Sequence, residues 1–326
     1  MDYIKQAFNS KHELWRYLVG LLIILVFWQV LGAIPLAVAL VVKLFDLGKS
    51  AFDMPADITG MANMLGENSF LFWMLISFAL GFIGLIIVVK FLHKQSIRSL
   101  TTARKKVDWK RILFAFFFWG LISSSLILID YYSYPENYVW NFQFDRFIIL
   151  AIIAILLIPI QTSFEEYLFR GYLMQGIGVL AKNRWLPLIL TSVIFGGMHV
   201  FNPEVGKLGY IVMVYYIGTG LFLGIITLMD EGMELALGFH AANNLFGALL
   251  LTADWTVLQT HSVLKDVSEP GAGFGDTILP VFIVFPILIF IFAKMYKWTN
   301  WKEKLFGKVE QPILDEITEL GNETNL

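Results

Sequence analysis

Long apolar runs separated by short polar connections make up most of the chain. A helix needs roughly 20 apolar residues to cross about 30 Å of hydrocarbon, and eight runs approach that length. They begin near Tyr17, Phe70, Arg111, Phe147, Trp185, Gly209, Leu235 and Ile278. This pattern predicts an all-α, polytopic integral membrane protein with about eight transmembrane helices.

The composition agrees with burial in a lipid bilayer. Of the 326 residues, 57% are hydrophobic and 15% are charged, whereas charged residues make up about a quarter of an ordinary soluble domain. The net charge of -2 is too small to indicate a nucleic acid as a partner. The chain has no cysteine, which excludes disulfides, thiolate nucleophiles and cysteine-ligated zinc.

One connection is strongly basic and orients the chain. It contains Lys90, Lys94, Arg98, Arg104, Lys105, Lys106, Lys110 and Arg111. Basic loops face the cytoplasm, so eight alternating spans place both termini there, and we expect a multi-pass protein of a bacterial plasma membrane. The turn with Asp230, Glu231 and Glu234 is acidic although it falls on the same side, but acidic residues contribute little to this rule.

No internal repeat or low-complexity tract divides the chain. We predict one transmembrane domain over residues 1–296, with its chemistry concentrated in residues 147–252. Residues 297–326 mix aromatic and basic side chains and then become acidic. They are predicted to form a cytoplasmic amphipathic segment and a tail.

The fourth apolar run contains Glu165, Glu166 and Arg170. Ionisable residues within a membrane segment are costly, and they indicate a functional site by default. Glu166 and Arg170 have the i, i+4 spacing of a helical ion pair, whereas Glu165 points about 100° away from Glu166. An unpaired carboxylate is a candidate general base. A structural ion-pair network and the proton relay of a transporter are the alternatives for this segment.

Two further motifs follow. His199 ends the fifth run, and a helical hairpin that turns near Lys182 would bring it level with Glu165. His240 and Asn244 share one face of the seventh run, and both can donate hydrogen bonds to a single oxygen, as in an oxyanion site. Packing and cross-linking of membrane helices are the alternative roles for these side chains.

Three motifs carry a resemblance to a known family: Glu-Glu-x-x-x-Arg at 165–170, Phe-x-x-x-His at 195–199 and His-x-x-x-Asn at 240–244. In this order they resemble the CPBP, or Abi, intramembrane glutamic endopeptidases, which include the type II CAAX prenyl endopeptidases. The resemblance implies an eight-span fold and a site without metal or cofactor. It also implies a membrane-anchored or lipidated peptide or protein as substrate, for which prenylation is one possibility.

The roles implied by the resemblance are specific to positions. Glu165 and His199 would hold and deprotonate the attacking water, while His240 and Asn244 would stabilise the oxyanion. Glu166 and Arg170 would support them. Asn243 stands next to Asn244, which leaves open which amide points inward.

Two other functions stay open. Glu165, His199 and His240 supply the two histidines and one carboxylate that catalytic zinc uses, so a zinc-dependent membrane protease is an alternative. A non-catalytic transport or bacteriocin-immunity protein could use the same groups as an ion path. The sequence contains neither a Gly-x-Ser-x-Gly nucleophile motif nor a His-Glu-x-x-His zinc motif.

Overall fold

The computed structural model describes residues 2–271 and 274–312, which are mainly helical. We label eight helices in chain order: α1 (Leu14–Asp46), α2 (Glu67–Leu92), α3 (Trp109–Ser133), α4 (Phe144–Ala181), α5 (Trp185–Gly197), α6 (Val212–Asp230), α7 (Glu234–Leu250) and α8 (Thr277–Met295). Shorter α-helices cover Ile58–Leu65, Ile97–Thr101, Pro203–Leu208 and Trp301–Phe306. Short 3-10 helices cover Ile4–Asn9, Ala51–Asp53 and Pro135–Asn137.

Within the described residues, six helices are long and apolar enough to cross a membrane, namely all but α5 and α7. The helix α5 has 13 residues and α7 has 17. After α5 the chain forms turns and a short helix before α6, and after α7 it becomes a strand. The all-α, polytopic prediction is confirmed. Helices lie at all eight predicted positions, but two of them are shorter than a full span because these breaks end them early.

The helix α4 departs from regular geometry on both sides of the two glutamates. Pro159 lies inside the helix, where its missing N–H removes a hydrogen bond and its ring crowds the preceding turn. From Tyr167 to Leu173 the helix widens into a π-helix, a form that occurs often at functional sites. Glu165 and Glu166 therefore lie between two interruptions of the same helix.

The turn predicted near Lys182 is confirmed. Lys182 ends α4 with a left-handed backbone, at φ 54°, and Asn183 Oδ1 accepts a hydrogen bond of 2.9 Å from the backbone N–H of Leu186 in the first turn of α5. Such a side chain satisfies one of the free N–H groups at a helix start. The helices α4 and α5 thus form a hairpin.

The helix α7 lies at the centre of the packing. Every residue from 232 to 242 is buried. A Cβ atom at Gly238 would lie 2.1 Å from the backbone carbonyl oxygen of Ile112, so only glycine allows α7 and α3 to approach this closely. Trp119 of α3 stacks on Phe239 with ring centroids 4.6 Å apart. Because neighbours surround α7, the polar side chains in its middle face other helices.

A small sheet closes one end of the helices. It consists of β1 (Tyr138–Trp140), β2 (Leu251–Ala253) and β3 (Leu264–Asp266) in the order β1-β3-β2. The strand β3 is antiparallel to β1 and parallel to β2. The sheet lies in the connections from α3 to α4 and from α7 to α8, and we call this side the sheet end. Strands of three residues are too short to show in the hydrophobic pattern.

The opposite side, the basic end, contains the basic connection and the turn between α6 and α7. Arg104 lies 2.8 Å from Asp230 and 3.0 Å from Glu234, and Arg111 lies 2.6 Å from Asp230. The acidic residues of this turn therefore neutralise arginines of the basic connection. Their presence on the predicted cytoplasmic side has a structural cause.

The predicted terminal segment packs on the basic end over its described part, residues 297–312. Trp298 Nε1 donates to Asp230 Oδ1 at 2.9 Å, and Lys304 Nζ donates to the backbone carbonyl of Met229 at 2.8 Å. The backbone N–H of Val309 donates to the carbonyl of Lys182 at 3.0 Å. The rest of the predicted tail, residues 313–326, lies outside the described residues.

Candidate active site

The helix α4 contributes a buried ion pair. Arg170 Nη1 lies 3.1 Å from Glu166 Oε1, as the i, i+4 spacing predicts, and the two side chains are 1% and 0% exposed. Arg170 also donates to the backbone carbonyl of Gly220 on α6 at 3.2 Å, and its guanidinium lies 4.3 Å from the ring centroid of Phe195 on α5. Arg170 thus connects three helices and compensates the charge of Glu166.

His240 lies between the two glutamates. Its Nδ1 is 2.7 Å from Glu166 Oε1, and its Nε2 is 3.5 Å from Glu165 Oε2. Because an ionised carboxylate only accepts hydrogen bonds, Nδ1 carries a proton and donates to Glu166. This contact fixes the ring orientation and directs Nε2 toward Glu165. The contact between Glu166 and His240 was not predicted. The two residues lie on different helices, and the only feature that they share in the sequence is an apolar neighbourhood.

His199 lies in the turns that follow α5. Its ring nitrogen Nδ1 is 2.9 Å from the carbonyl oxygen of Phe195, which can only accept, so Nδ1 donates and Nε2 is the free nitrogen. The ring stacks on Tyr216 of α6, with centroids 4.2 Å apart and planes 20° apart. The Tyr216 hydroxyl donates in turn to the buried carboxylate of Glu204. Tyr216 and Glu204 were missed because neither belongs to a recognisable motif.

A chain of side-chain amides runs from α3 across α7 to α4. Trp119 Nε1 donates to Asn243 Oδ1 at 3.1 Å, Asn243 Nδ2 donates to Asn244 Oδ1 at 3.2 Å, and Asn244 Nδ2 donates to Gln161 Oε1 at 3.2 Å. The Gln161 side chain also interacts with the Glu165 carboxylate. An indole N–H can only donate, so Trp119 sets the direction of every bond in the chain. The amide N–H of Gln161 therefore points at Glu165.

Gln161 is a site residue that sequence reasoning missed. It lies one helical turn before Glu165 and is 8% exposed. A polar residue four positions from a candidate base, inside an apolar run, is the signal that could have found it. The sequence left open whether Asn243 or Asn244 points inward. Both line the cavity described next, and Trp119 donates a hydrogen bond to Asn243.

The side chains predicted for catalysis meet around one cavity of about 450 Å³. Its lining includes Glu165 from α4, His199 after α5, and His240 and Asn244 from α7. Glu165 and His199 both line this space, and no hydrogen bond joins them among the described residues. Glu166 and Arg170 lie behind the lining and orient His240. The walls are otherwise mainly apolar and include Leu25, Trp28, Met74, Leu75, Phe78 and Ile158.

The zinc alternative requires three ligands directed at one point. Among the described residues, no three His, Asp or Glu side chains are arranged to hold a metal ion. His199 directs Nδ1 at a backbone carbonyl and His240 uses Nδ1 on Glu166, so both rings keep Nε2 on the side of the cavity. Zinc binding is therefore decided by the chelator experiment below.

Comparison with known proteins identifies the family of the chain. The family model of the type II CAAX prenyl endopeptidases, Rce1-like, matches residues 144–246, which include every predicted site residue. An uncharacterized protein of Bacillus subtilis (strain 168), YyaK, is 30% identical over 308 residues, covering 93% of this chain and 98% of that protein. No solved structure matches the chain significantly. The chain is an integral membrane protein, and it belongs to the CPBP family.

Proposed function

We propose that the protein is an intramembrane endopeptidase that hydrolyses a peptide bond of a membrane-associated substrate with a water activated by Glu165 and His199. One observation carries this proposal. Four polar side chains from three separate parts of the fold, Glu165, His199, His240 and Asn244, line a single cavity with mainly apolar walls. Family membership supports the coarser activity, that of a membrane protease.

In this mechanism the water lies between Glu165 and the free Nε2 of His199. Glu165 takes a proton as the water oxygen attacks the carbonyl carbon, and a tetrahedral oxyanion forms. Glu165 is suited to this step because it lines the cavity and its ion-pair partner is an imidazole, not an arginine. Apolar walls exclude bulk water and strengthen the electrostatic interactions inside the cavity.

His240 and Asn244 stabilise the oxyanion. Glu165 passes the proton across the 3.5 Å gap to His240 Nε2, so that the imidazole becomes a cation with a hydrogen-bond donor facing the cavity. Glu166 stabilises that cation through Nδ1, and Asn244 supplies a second donor. When the intermediate collapses, the C–N bond breaks and the proton moves from Nε2 to the leaving amine nitrogen.

We also propose that both termini face the cytoplasm of a bacterial cell. The arginines paired with Asp230 and Glu234 lie at the same end as the basic connection, and basic residues mark the cytoplasmic side. The terminal segment packs on this end as well.

The proteolytic activity is tested by mass spectrometry of new N-termini in membranes from cells with the wild-type protein or Glu165→Gln. We expect processed fragments that disappear in the variant and persist in Glu136→Gln, a matched change of an exposed residue at the sheet end. Activity of the purified protein should withstand a chelator. Identical fragments in wild type and Glu165→Gln would contradict the proposal, and rescue by added zinc would contradict the metal-free mechanism.

A further inference from the structure

The cavity at the candidate active site continues toward the sheet end. A second cavity of about 360 Å³ shares His199, Tyr216, Asn244, Val257 and Leu258 with the first. The rest of its lining includes β2, Trp255, Thr256 and Asp266 of β3. Shared lining residues make the two spaces neighbours, and together they extend from Glu165 to the loop and strands at the sheet end. We call these two adjacent cavities the passage.

The opposite side of the site is closed. A layer of side chains separates it from the basic end, with exposures of 0% for Tyr3, 1% for Leu100, 1% for Thr101, 1% for Arg170 and 0% for Met233. The Tyr3 hydroxyl lies 2.7 Å from the carbonyl oxygen of Leu100 and 2.9 Å from that of Arg170, and its single hydrogen is shared between these two acceptors. These bonds tie the N-terminal 3-10 turn directly beneath α4, so this layer leaves no opening toward the basic end.

The passage carries negative charge. Glu165, Glu204 and Asp266 line the two cavities, whereas no lysine or arginine among the described residues lines either of them. Glu204 is held by Tyr216 and by the backbone N–H of Val257, the latter at 3.0 Å. That second bond fixes the loop wall of the passage. A segment with basic side chains complements this lining.

We propose that the peptide substrate enters from the sheet end, as an extended segment that carries lysine or arginine next to the cleaved bond. This inference rests on the proposed function, which makes a peptide the substrate. It adds the route by which the peptide enters and the charge of the peptide segment. With the basic end in the cytoplasm, the sheet end is extracytoplasmic. The substrate class is then a membrane-associated peptide whose basic segment lies on the outer side of the membrane.

The route is tested by labelling single cysteines, because the natural chain has none. In a Glu165→Gln background, Thr256→Cys probes the passage, Glu136→Cys the exposed sheet end, Lys106→Cys the exposed basic end and Thr101→Cys the closed layer. A membrane-impermeant maleimide is applied to right-side-out and inside-out vesicles. We expect Thr256→Cys to react from the same side as Glu136→Cys, and Thr101→Cys to stay unlabelled. Reaction of either probe from the side of Lys106→Cys would overturn the proposed route.

The charge is tested by protection of the same passage cysteine. Acetylated dodecapeptides of alanine with lysine, or of alanine with glutamate, are added before the maleimide. The lysine peptide should slow labelling of Thr256→Cys more than the glutamate peptide does. Adding Asp266→Asn should weaken protection by about twofold to fivefold, the range for one exposed charge pair, whereas Glu136→Gln should not. Equal protection by both peptides would overturn the basic-segment assignment.

Neither measurement requires hydrolysis, because both use Glu165→Gln. A protein that shows the expected labelling and yet cleaves nothing would refute the protease proposal alone. A protein that cleaves its substrate and is labelled from the basic end would refute the proposed route alone.

Discussion

Two clusters of buried carboxylates in this molecule are paired differently. At the basic end, Asp230 lies 2.8 Å from Arg104 and 2.6 Å from Arg111. In the cavity, Glu165 has the imidazole of His240, at 3.5 Å, as its ion-pair partner. The first cluster fastens a loop to two helices, and the second leaves a carboxylate at the edge of open space.

Burial does not separate these two roles, because Asp230 is 4% exposed and Glu165 is 5% exposed. Pairing does. Two arginines and the indole N–H of Trp298 donate to Asp230, whereas Glu165 has one imidazole as its ion-pair partner and can accept a proton from substrate or water. In a membrane protein, the number of cationic partners therefore distinguishes a structural carboxylate from a reactive one more clearly than depth does.

Among the substitutions that test this comparison, Glu165→Gln should have the largest effect on activity. The change keeps the shape of the side chain and removes its basicity, so processing should fall about 10²- to 10⁴-fold. Thermal unfolding in detergent should hardly change, since no arginine loses its partner. The rate of appearance of new N-termini in membranes measures the activity, and nearly normal cleavage by the variant would rule out Glu165 as the base.

Glu166→Gln should have the second largest effect, an activity reduced about 10- to 100-fold, the range for removing a group that orients a ligand or base. His240 Nδ1 and Arg170 lose their charged partner together. The matched control is Glu67→Gln, which alters another contact between a glutamate and a histidine Nδ1, 3.2 Å from His261 and outside the cavity. Equal losses in both variants would indicate a general folding defect.

Asp230→Asn should lower the stability of the protein at the basic end and leave catalysis unchanged. Removing one partner of a buried ion pair is strongly destabilising, but Arg104 and Arg111 are 25% and 19% exposed, so screening by solvent reduces the loss to about 1–2 kcal/mol. Unfolding in detergent measures it, with Asp130→Asn at the other end of α3 as control. Specific activity per folded molecule should stay unchanged. An inactive variant of normal stability would show that Asp230 takes part in catalysis, and it would contradict the assignment of a structural role to this cluster.

The smallest effect is expected from Trp119→Phe. Phenylalanine keeps the stacking on Phe239 and removes the indole donor that directs the amide chain, so Asn243 and Asn244 can reorient. One net hydrogen bond corresponds to about 0.5–1.5 kcal/mol, and we expect kcat to fall about twofold to tenfold with KM little changed. Steady-state kinetics of Trp119→Phe and of the exposed Trp140→Phe test this. A change confined to KM would assign Trp119 to substrate binding instead.

The sequence predicted the class of fold and the positions of its helices because apolar runs and helical periodicity are local signals. It also predicted that the spacing around Lys182 brings Glu165 and His199 near each other, and both line the cavity. The catalytic roles of these residues stay predictions. Chain order and motif spacing contain this information because a hairpin of two helices has few ways to form.

Other features depend on contacts between distant parts of the chain. Gln161 and Trp119 join one amide network from helices that are far apart in sequence, and a single polar residue in an apolar run does not name its partner. The early ends of α5 and α7 and the three-residue strands also leave no mark in the hydrophobic pattern. Secondary-structure propensity depends on residues that are close in sequence and contains no information about such contacts. The route into the cavity could therefore not be predicted from the sequence.

The widened turn from Tyr167 to Leu173 has a consequence for comparing relatives of this chain. A π-helical turn accommodates an extra residue relative to an α-helix, so deleting one residue here can restore a regular α-helix without rotating the two halves of α4 against each other. Glu165 and the hairpin then keep their common alignment. Sequence alignments that open a one-residue gap in this stretch are therefore compatible with proteins in which the same acidic motif faces the same neighbours.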